Sequence, residues 1–350
     1  MSAESDVARP NLSSRLIVNL PGVVLAIVTA GLAFYISTAV KPIFPVSAVV
    51  IALLLGMILN ALIVTQRIVP GLTFCVKVLL RVAVALLGLR IAVSDIFSLG
   101  VGTALIVVVS MTVTIVATFA IARLLGQQII FAALAGTATA ICGASATLAV
   151  SAVLPNYINR DSDIAFTIVS VNAFSTVAML AYPPLCQFFG FPQQSTGILL
   201  GATIHDVAQV VGAGYGISET VGNTAVVVKL FRVLLLVPVV LLVGSYVNTE
   251  GKARAGRVRV PDFAIVFLIL CAINSVLTSL PFSFQFYESV KEVGGQVSNW
   301  GLLLAIAALG LNTSFRQISR VGWRHATLLG ANSLILLATV LLCLTIGGVE

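Results

Sequence analysis

Four cations of this 350-residue chain fall inside long apolar runs. Lys77 and Arg81 are four residues apart, so on a helix they share a face about 6 Å apart along the axis. Gly88 falls on the same stripe. Lys229 and Arg232, three apart, share a face in a later run. A charge at the centre of a bilayer costs roughly 2.5–3.5 kcal/mol on insertion scales. Asp206 is the one acid clearly placed inside a run, so the buried surplus is positive and an anion is the partner that fits. The competing reading is snorkelling, strongest for Lys77 near its helix end. Arg81, Lys229 and Arg232 are deeper and read as facing a polar interior or cavity.

Two stretches interrupt the apolar pattern. Residues 136–147 are small and hydroxylic and are bracketed by glycines, which permit the backbone angles that break a helix. A half-helix restarting near Gly143 points free N–H groups and the positive end of its dipole into the membrane. Gly143, Ala144 and Ser145, with Thr139 as a second hydroxyl, therefore form a candidate anion site. A stripe of small residues for close helix packing is the alternative. The second stretch, residues 201–214, holds His205, Asp206 and Gln209 among glycines. His changes charge near neutrality, so His205 and Asp206 offer proton coupling; Asp206 serves equally as counter-charge to a buried cation. As sequence neighbours the two do not face one another on a helix.

These residues need a scaffold that composition identifies. The chain is 59% hydrophobic and 9% charged, with mean hydropathy +1.13. A soluble domain of this size cannot hide that much apolar surface, and the bilayer is the solvent that fits. Long unbroken runs, rather than short alternating ones, select helices over a barrel. Eleven candidate spans are expected, at about 16–40, 46–64, 71–93, 99–125, 129–154, 163–189, 194–216, 221–247, 261–280, 297–313 and 323–347. The net charge of +7 lies mostly in short loops, which assigns it to topology rather than to nucleic acid. With the N-terminus (residues 1–15) in the cytoplasm, Arg9, Arg15, Arg67, Arg123, Lys252, Arg254, Arg257, Arg259, Arg316, Arg320 and Arg324 fall inside. Lys41, Arg90, Arg160 and Lys291 fall outside, with Asp95, Asp161, Asp163, Glu219, Glu288 and Glu292 nearby. The five cysteines lie in apolar runs without ligand spacing and read as packing residues.

An internal echo points to architecture. Ala85-Leu86-Leu87-Gly88-Leu89 matches Ala307-Ala308-Leu309-Gly310-Leu311, and at the same offset Ile96 meets Ile318 and Gly100 meets Gly322. The two copies cross in opposite directions, as in the inverted-topology repeats of secondary transporters. The expected fold is thus one all-α transmembrane domain over residues 16–350, with repeats at about 16–154 and 194–347 and two discontinuous helices.

Taken in order, Leu80-Arg81 to Gly88, Ile141-Cys142-Gly143-Ala144-Ser145-Ala146, Ile204-His205 with Ala208-Gln209-Val210-Val211, and Val228-Lys229 with Arg232-Val233 and Pro238 resemble the YeiH-like family of bacterial inner-membrane proteins. That family is described, by presumption, as sulfate exporters. One departure is Asp206, where the family pattern has Glu; the carboxylate is kept but its reach is shorter. The resemblance implies a multi-pass inner-membrane transporter with crossed broken helices, carrying sulfate, sulfite or a small organosulfonate. An anion channel is the alternative. Arg81, Lys229, Arg232 and Lys77 would supply charge, and Thr139, Gly143, Ala144, Ser145 and Gln209 polar contacts. His205 and Asp206 would couple protons. No enzyme motif is legible, and no metal, cofactor or nucleic acid is expected. The partners are a small anion and the lipid bilayer, with a homo-oligomer left open.

Overall fold

The computed structural model describes residues 12–40, 47–63, 65–91, 93, 99–155, 157, 160–247, 262–279, 285–313 and 323–347. Among them no strand occurs. The helices are α1 (Leu12–Val40), α2 (Ala48–Ile63), α3 (Val69–Leu89), α4 (Gly100–Leu124), α5 (Ile129–Ala140), α6 (Ala144–Ser151) and α7 (Arg160–Phe188). They continue as α8 (Gln193–Thr203), α9 (Val207–Ile217), α10 (Glu219–Leu234), α11 (Leu236–Val247), α12 (Asp262–Ser279), α13 (Gln285–Asn312) and α14 (Trp323–Gly347). Among the described residues, seven helices are long and apolar enough to cross a membrane, α10 and α11 counting as one. Arg9, Lys41, Asp95, Lys252, Arg254, Arg257, Arg259, Arg316 and Arg320 lie outside the described residues, as do Ile96, Ile318, Gly322 and the tail up to residue 11. The side chains of Arg15, Asp161 and Arg324 do so too.

The chain divides into two compact units. The first comprises Met1–Arg81 and Gly301–Ser314. Its helices approach through glycine. A Cβ on Gly22 would fall 2.7 Å from the Cα of Gly71, and one on Gly56 would fall 2.7 Å from the Leu311 nitrogen. Small residues let backbones meet closely where lipid supplies no hydrophobic drive. Ala26, Leu72, Cys75, Ala308 and Leu311 fill one cluster and Ala30, Ala33, Ala52, Leu303 and Ala307 another. Asn60 Nδ2 donates to the Leu311 carbonyl at 2.6 Å, near the end of α13. Within α3, Cys75–Leu79 form a π turn that carries Lys77.

The second unit comprises Val82–Trp300 and Phe315–Glu350. Its fifth and seventh apolar stretches are interrupted, as the glycine pattern predicts, but they also double back. The start of α5 meets the starts of α7 and α14: Phe131 and Phe166 both pack edge-on against His325, with ring centroids 4.4 and 5.1 Å away, and Asp163 lies 3.9 Å from His325. The end of α6 returns to that same end. Val153 packs on Gly244 of α11, while Tyr246, two residues on, packs on Phe119 near the end of α4. At the opposite end, Ser218 after α9 donates to Gln193 at the start of α8 (3.2 Å). Both α8 and α9 lie along α10, through Gly201 on Ala225 and Gly214 on Gly222. That end carries the Arg90–Glu219 ion pair and a polar cavity of about 490 Å³ lined also by Glu288, Lys291 and Glu292. Thus α5–α6 and α8–α9 are two hairpins that enter the unit from opposite ends.

The glycine contacts of unit 1 give a sign test. Gly22→Ala should destabilise the detergent-purified protein by about 1–3 kcal/mol through overpacking. Gly31→Ala in the same helix meets nothing within 4 Å. It should be neutral or stabilising by up to about 1 kcal/mol. Thermal unfolding of both variants checks this; equal shifts would contradict the packing.

Candidate functional site

The hairpin tips meet. At the first tip, α5 ends at Ala140, Ile141 turns out of helical geometry (φ −117°, ψ −86°), and Gly143 takes φ +63°, ψ −118° before α6 begins. That conformation is open to glycine and strained for any L side chain. A Cβ there would lie 3.1 Å from Val171 and 3.7 Å from His205 Cβ, so Gly143 also lets the second tip approach. At the second tip, α8 gives way to extended backbone at Ile204 (ψ 133°) and Asp206 (ψ 140°). Ser175 of α7 holds this linker, its Oγ accepting from the N–H groups of His205 and Asp206, each at 3.1 Å.

Each tip leaves helix C-terminal carbonyls without intrahelical partners, and α10 supplies donors to both. Lys229 and Arg232 are fully buried. Lys229 Nζ donates to Ile141 O (2.5 Å) and Ile204 O (2.9 Å), one carbonyl from each tip. Arg232 Nε donates to Ala140 O (3.0 Å). Its Nη1 donates to Gly201 O (3.2 Å) and Ala202 O (2.6 Å), and its Nη2 to Thr139 O (3.1 Å) and Ala140 O. These contacts match the five N–H donors of a guanidinium. A residue one turn from Lys229 thus ties the same two helix ends together, and the positive charges face the negative ends of both dipoles.

The restarting halves differ. Asp206 caps α9, its Oδ1 accepting from Ala208 N at 2.8 Å. The start of α6 has no side-chain cap. There Ala144 is half-buried and Ser145 exposed, whereas residues 139–143 and 201–205 are buried.

His205 joins the tips to α14. Its Nδ1 lies 3.0 Å from Thr139 O, which only accepts, so Nδ1 carries a proton. Its Nε2 lies 3.0 Å from Ser333 Oγ, and Ser333 also reaches Leu329 O at 2.9 Å. With neutral imidazole the hydroxyl turns to Nε2. With imidazolium, Nε2 donates to the hydroxyl, which turns to Leu329 O.

The sequence-derived residues fall as follows. Thr139, Gly143, His205, Lys229 and Arg232 come together, Thr139 through its carbonyl, because its hydroxyl donates to Ala135 O (2.9 Å). Ala144, Ser145 and Asp206 lie at the starts of the returning halves. Gln209 of α9 donates to Thr176 of α7 at 2.9 Å. His205 points to α5 and α14 while Asp206 turns back on its own helix, so their side chains go separate ways. Lys77 and Arg81 belong to the first unit and are exposed. Sequence reasoning missed Ser175, Ser333 and the carbonyls of residues 140, 141, 201, 202 and 204. A serine in an apolar helix signals nothing by type, and a carbonyl has no letter.

The sequence profile of the family described as conserved hypothetical protein 698 matches residues 21–329. The chain is 42% identical over 334 residues to "UPF0324 membrane protein TauZ" of Paracoccus denitrificans, covering 93% of this chain and 94% of that one. It is 39% identical to "UPF0324 membrane protein CT0845" of Chlorobaculum tepidum, covering 92% and 88%. Against "UPF0324 inner membrane protein YeiH" of Escherichia coli K12 the identity is 32%, covering 87% of each. No solved structure matches the chain. The chain belongs to the conserved hypothetical protein 698 family of membrane proteins.

Removing the guanidinium leaves buried carbonyls from two helix ends unpaired, at about 1–3 kcal/mol each. Arg232→Met should therefore give the largest fall in unfolding temperature of any single change at the tips. Arg232→Lys restores the charge but not the planar fork, and should recover less than half of the loss. Full recovery by Lys would show that charge alone matters.

Proposed function

We propose that this member of the conserved hypothetical protein 698 family is a secondary transporter of a small anion, with its site at the meeting point of the two hairpin tips. The observation that carries the reading is the pair of fully buried cations bridging both tips beside an uncapped helix start. Two helix C-termini bring about −1 charge in sum and two N-termini about +1. With Lys229, Arg232 and Asp206 ionised, the side chains add two positive charges and one negative. The site is left with about one positive charge, which an anion at the start of α6 neutralises.

The depth of the site supports this. The 12-residue α5 and the 11-residue α8 are about 18 and 16 Å long at the usual helical rise. Entering from opposite faces of a hydrocarbon core about 30 Å thick, they meet near its middle. In this reading the α5–α6 and α8–α9 hairpins re-enter without crossing, and the remaining nine apolar stretches cross. The N-terminus is cytoplasmic, in a bacterial inner membrane. Re-entry of α5–α6 from the cytoplasmic face moves Arg160, Asp161 and Asp163 inside, against the expectation that they lie outside, and sharpens the inside bias of basic residues.

The repeat gains support from packing. Gly88 packs its backbone against Phe267 of α12, and Gly310 against Leu53 of α2. At the offset of 222 between the two glycines, α2 maps onto residues 270–285, which overlap α12. Each copy of the Ala–Gly–Leu segment thus packs on a helix that belongs to the other proposed repeat. That reciprocity is what a two-fold relation between repeats produces.

Sulfate, sulfite and small organosulfonates are the candidate cargoes, from the family resemblance, and His205 with Asp206 the candidate coupling groups. Purified protein in liposomes should show saturable anion uptake that accelerates when the same anion is trapped inside. Ser145→Ala removes an exposed hydroxyl at the α6 start. It should leave the unfolding temperature unchanged and raise KM about tenfold, as the loss of one hydrogen bond to an ion would. Absence of flux across a panel of oxyanions and sulfonates, with folded protein, would refute the reading. Flux that neither saturates nor shows counterflow would make the protein a channel.

A further inference from the structure

The two histidines of the chain lie at the two ends of a run of buried polar residues on α5, α7 and α14. His325 sits with Asp163 at one end of the second unit, and His205 sits at the hairpin tips. Between them α5, α7 and α14 run in parallel register. Phe131 and Phe166 meet His325; Gly330 meets Phe174; Thr139, Ser175 and Ser333 all meet His205 or its linker. Thr137 of α5, Thr167 and Ser170 of α7 and Asn332 of α14 fall between these registers and are fully buried. Their side-chain oxygens, and both amide atoms of Asn332, have no hydrogen-bond partner among the described protein atoms.

Spacing puts the α7 and α14 members in line. Asp163, Thr167 and Ser170 are at i, i+4 and i+7, one face of α7. His325 and Asn332 are seven apart, one face of α14, and Ser333 follows at once. Asp163 touching His325 shows that these two faces meet at one end. Dry, each unpaired group costs about 1–3 kcal/mol. A file of polar groups with several partners per site is where internal water is held. His325 and Ser333, eight residues apart, are separated by about 12 Å along the helix, the reach of roughly four waters in file.

We propose that α5, α7 and α14 enclose a single file of water that carries protons between the Asp163–His325 pair and His205. The inference deepens the proton-coupling part of the transport reading and rests on it. A proton enters at Asp163–His325; each water accepts one proton and passes one on. Ser333 Oγ delivers one to His205 Nε2, while Nδ1–H stays on Thr139 O. The net change is one proton and one positive charge gained at the tips. Among the described residues, the charged or titratable groups around His205 are Lys229 and Arg232 on α10, Asp206 beside it and Cys142 in the first linker; at His325 the described partner is Asp163. Leu328, Leu329, Phe166 and Phe174 belong to the apolar cluster packed among the same helices, beside these polar groups.

Asn332→Leu fills the same volume without polar atoms, so the fold should survive with an unfolding temperature at or above that of the parent. X-ray hydroxyl-radical footprinting should label the buried Leu328 and Leu329 in the parent and not in Asn332→Leu. In liposomes with a trapped pH dye, anion-driven proton movement should slow about tenfold or more, the effect of ~1.4 kcal/mol of added barrier. Unlabelled Leu328 and Leu329 in the parent would overturn the water file whatever the transport result. Labelling with proton movement absent in the parent, or unaltered in Asn332→Leu, would overturn the proton route. Labelling intact with no anion flux at all would remove the transport reading and with it the coupling role.

Discussion

An α-helix that stops inside an apolar medium must give its last carbonyls to something. Here two helices stop at one place, and the donors are Lys229 and Arg232 from a third. Neither water nor lipid could serve as well, because several acceptors converge within the span of two side chains. The arrangement explains why the cations come as a Lys and an Arg one turn apart on one helix. A compact ammonium reaches between the two tips, while a planar fork collects the neighbouring carbonyls of each.

Most other features at the tips follow from that junction. Gly143 is needed so that the chain can reverse and so that His205 can come close. The glycines of α8 and α9 that face α10 let the second hairpin lie against the helix bearing the cations. Ser175 accepts from two N–H groups of the linker, which its extended backbone would otherwise leave unpaired. The tips are therefore fixed on the carbonyl side and sparsely held on the amide side, where Asp206 caps one returning helix and nothing caps the other. Polarity is thus sorted by direction: the carbonyl ends go to protein cations, and of the two amide ends only that of α9 has a side-chain cap.

Much of this was legible in the sequence, and the limits are physical. Composition identifies the solvent, and the glycine brackets at 136–147 and 201–214 locate both interruptions, although only Gly143 is needed for the backbone of the break itself, while Gly201 and Gly214 let α8 and α9 pack on α10. The buried positions of Lys229 and Arg232 followed from their depth in an apolar run. What could not be read was the return of each hairpin. A helix that crosses and a helix pair that doubles back have the same apolar period and nearly the same length; only contacts such as Ser218 with Gln193 tell them apart. Lys77 and Arg81 looked equivalent to the second pair by spacing, yet are exposed in the first unit. Burial of a cation is decided by which carbonyls end nearby, and no pattern along one helix contains that information.

The junction also bears on the argument that buried cations call for an anionic cargo. Taken alone, excess positive charge in the membrane implies a negative partner, but the carbonyl ends of α5 and α8 already supply about one negative charge between them. Lys229 and Arg232 are thereby saturated as donors on their inner side, and a ligand competing for those hydrogen bonds would have to separate the tips. The start of α6 carries no side-chain cap, and the surface opens there at Ser145. An anion bound there would take its hydrogen bonds from backbone and hydroxyl and its long-range attraction from the two cations behind the tip. It could then arrive and leave without unmaking the contacts that hold the hairpins together. Tight structural use and reversible binding would be compatible in one site because Lys229 and Arg232 take the carbonyls that end α5 and leave the N–H groups that begin α6.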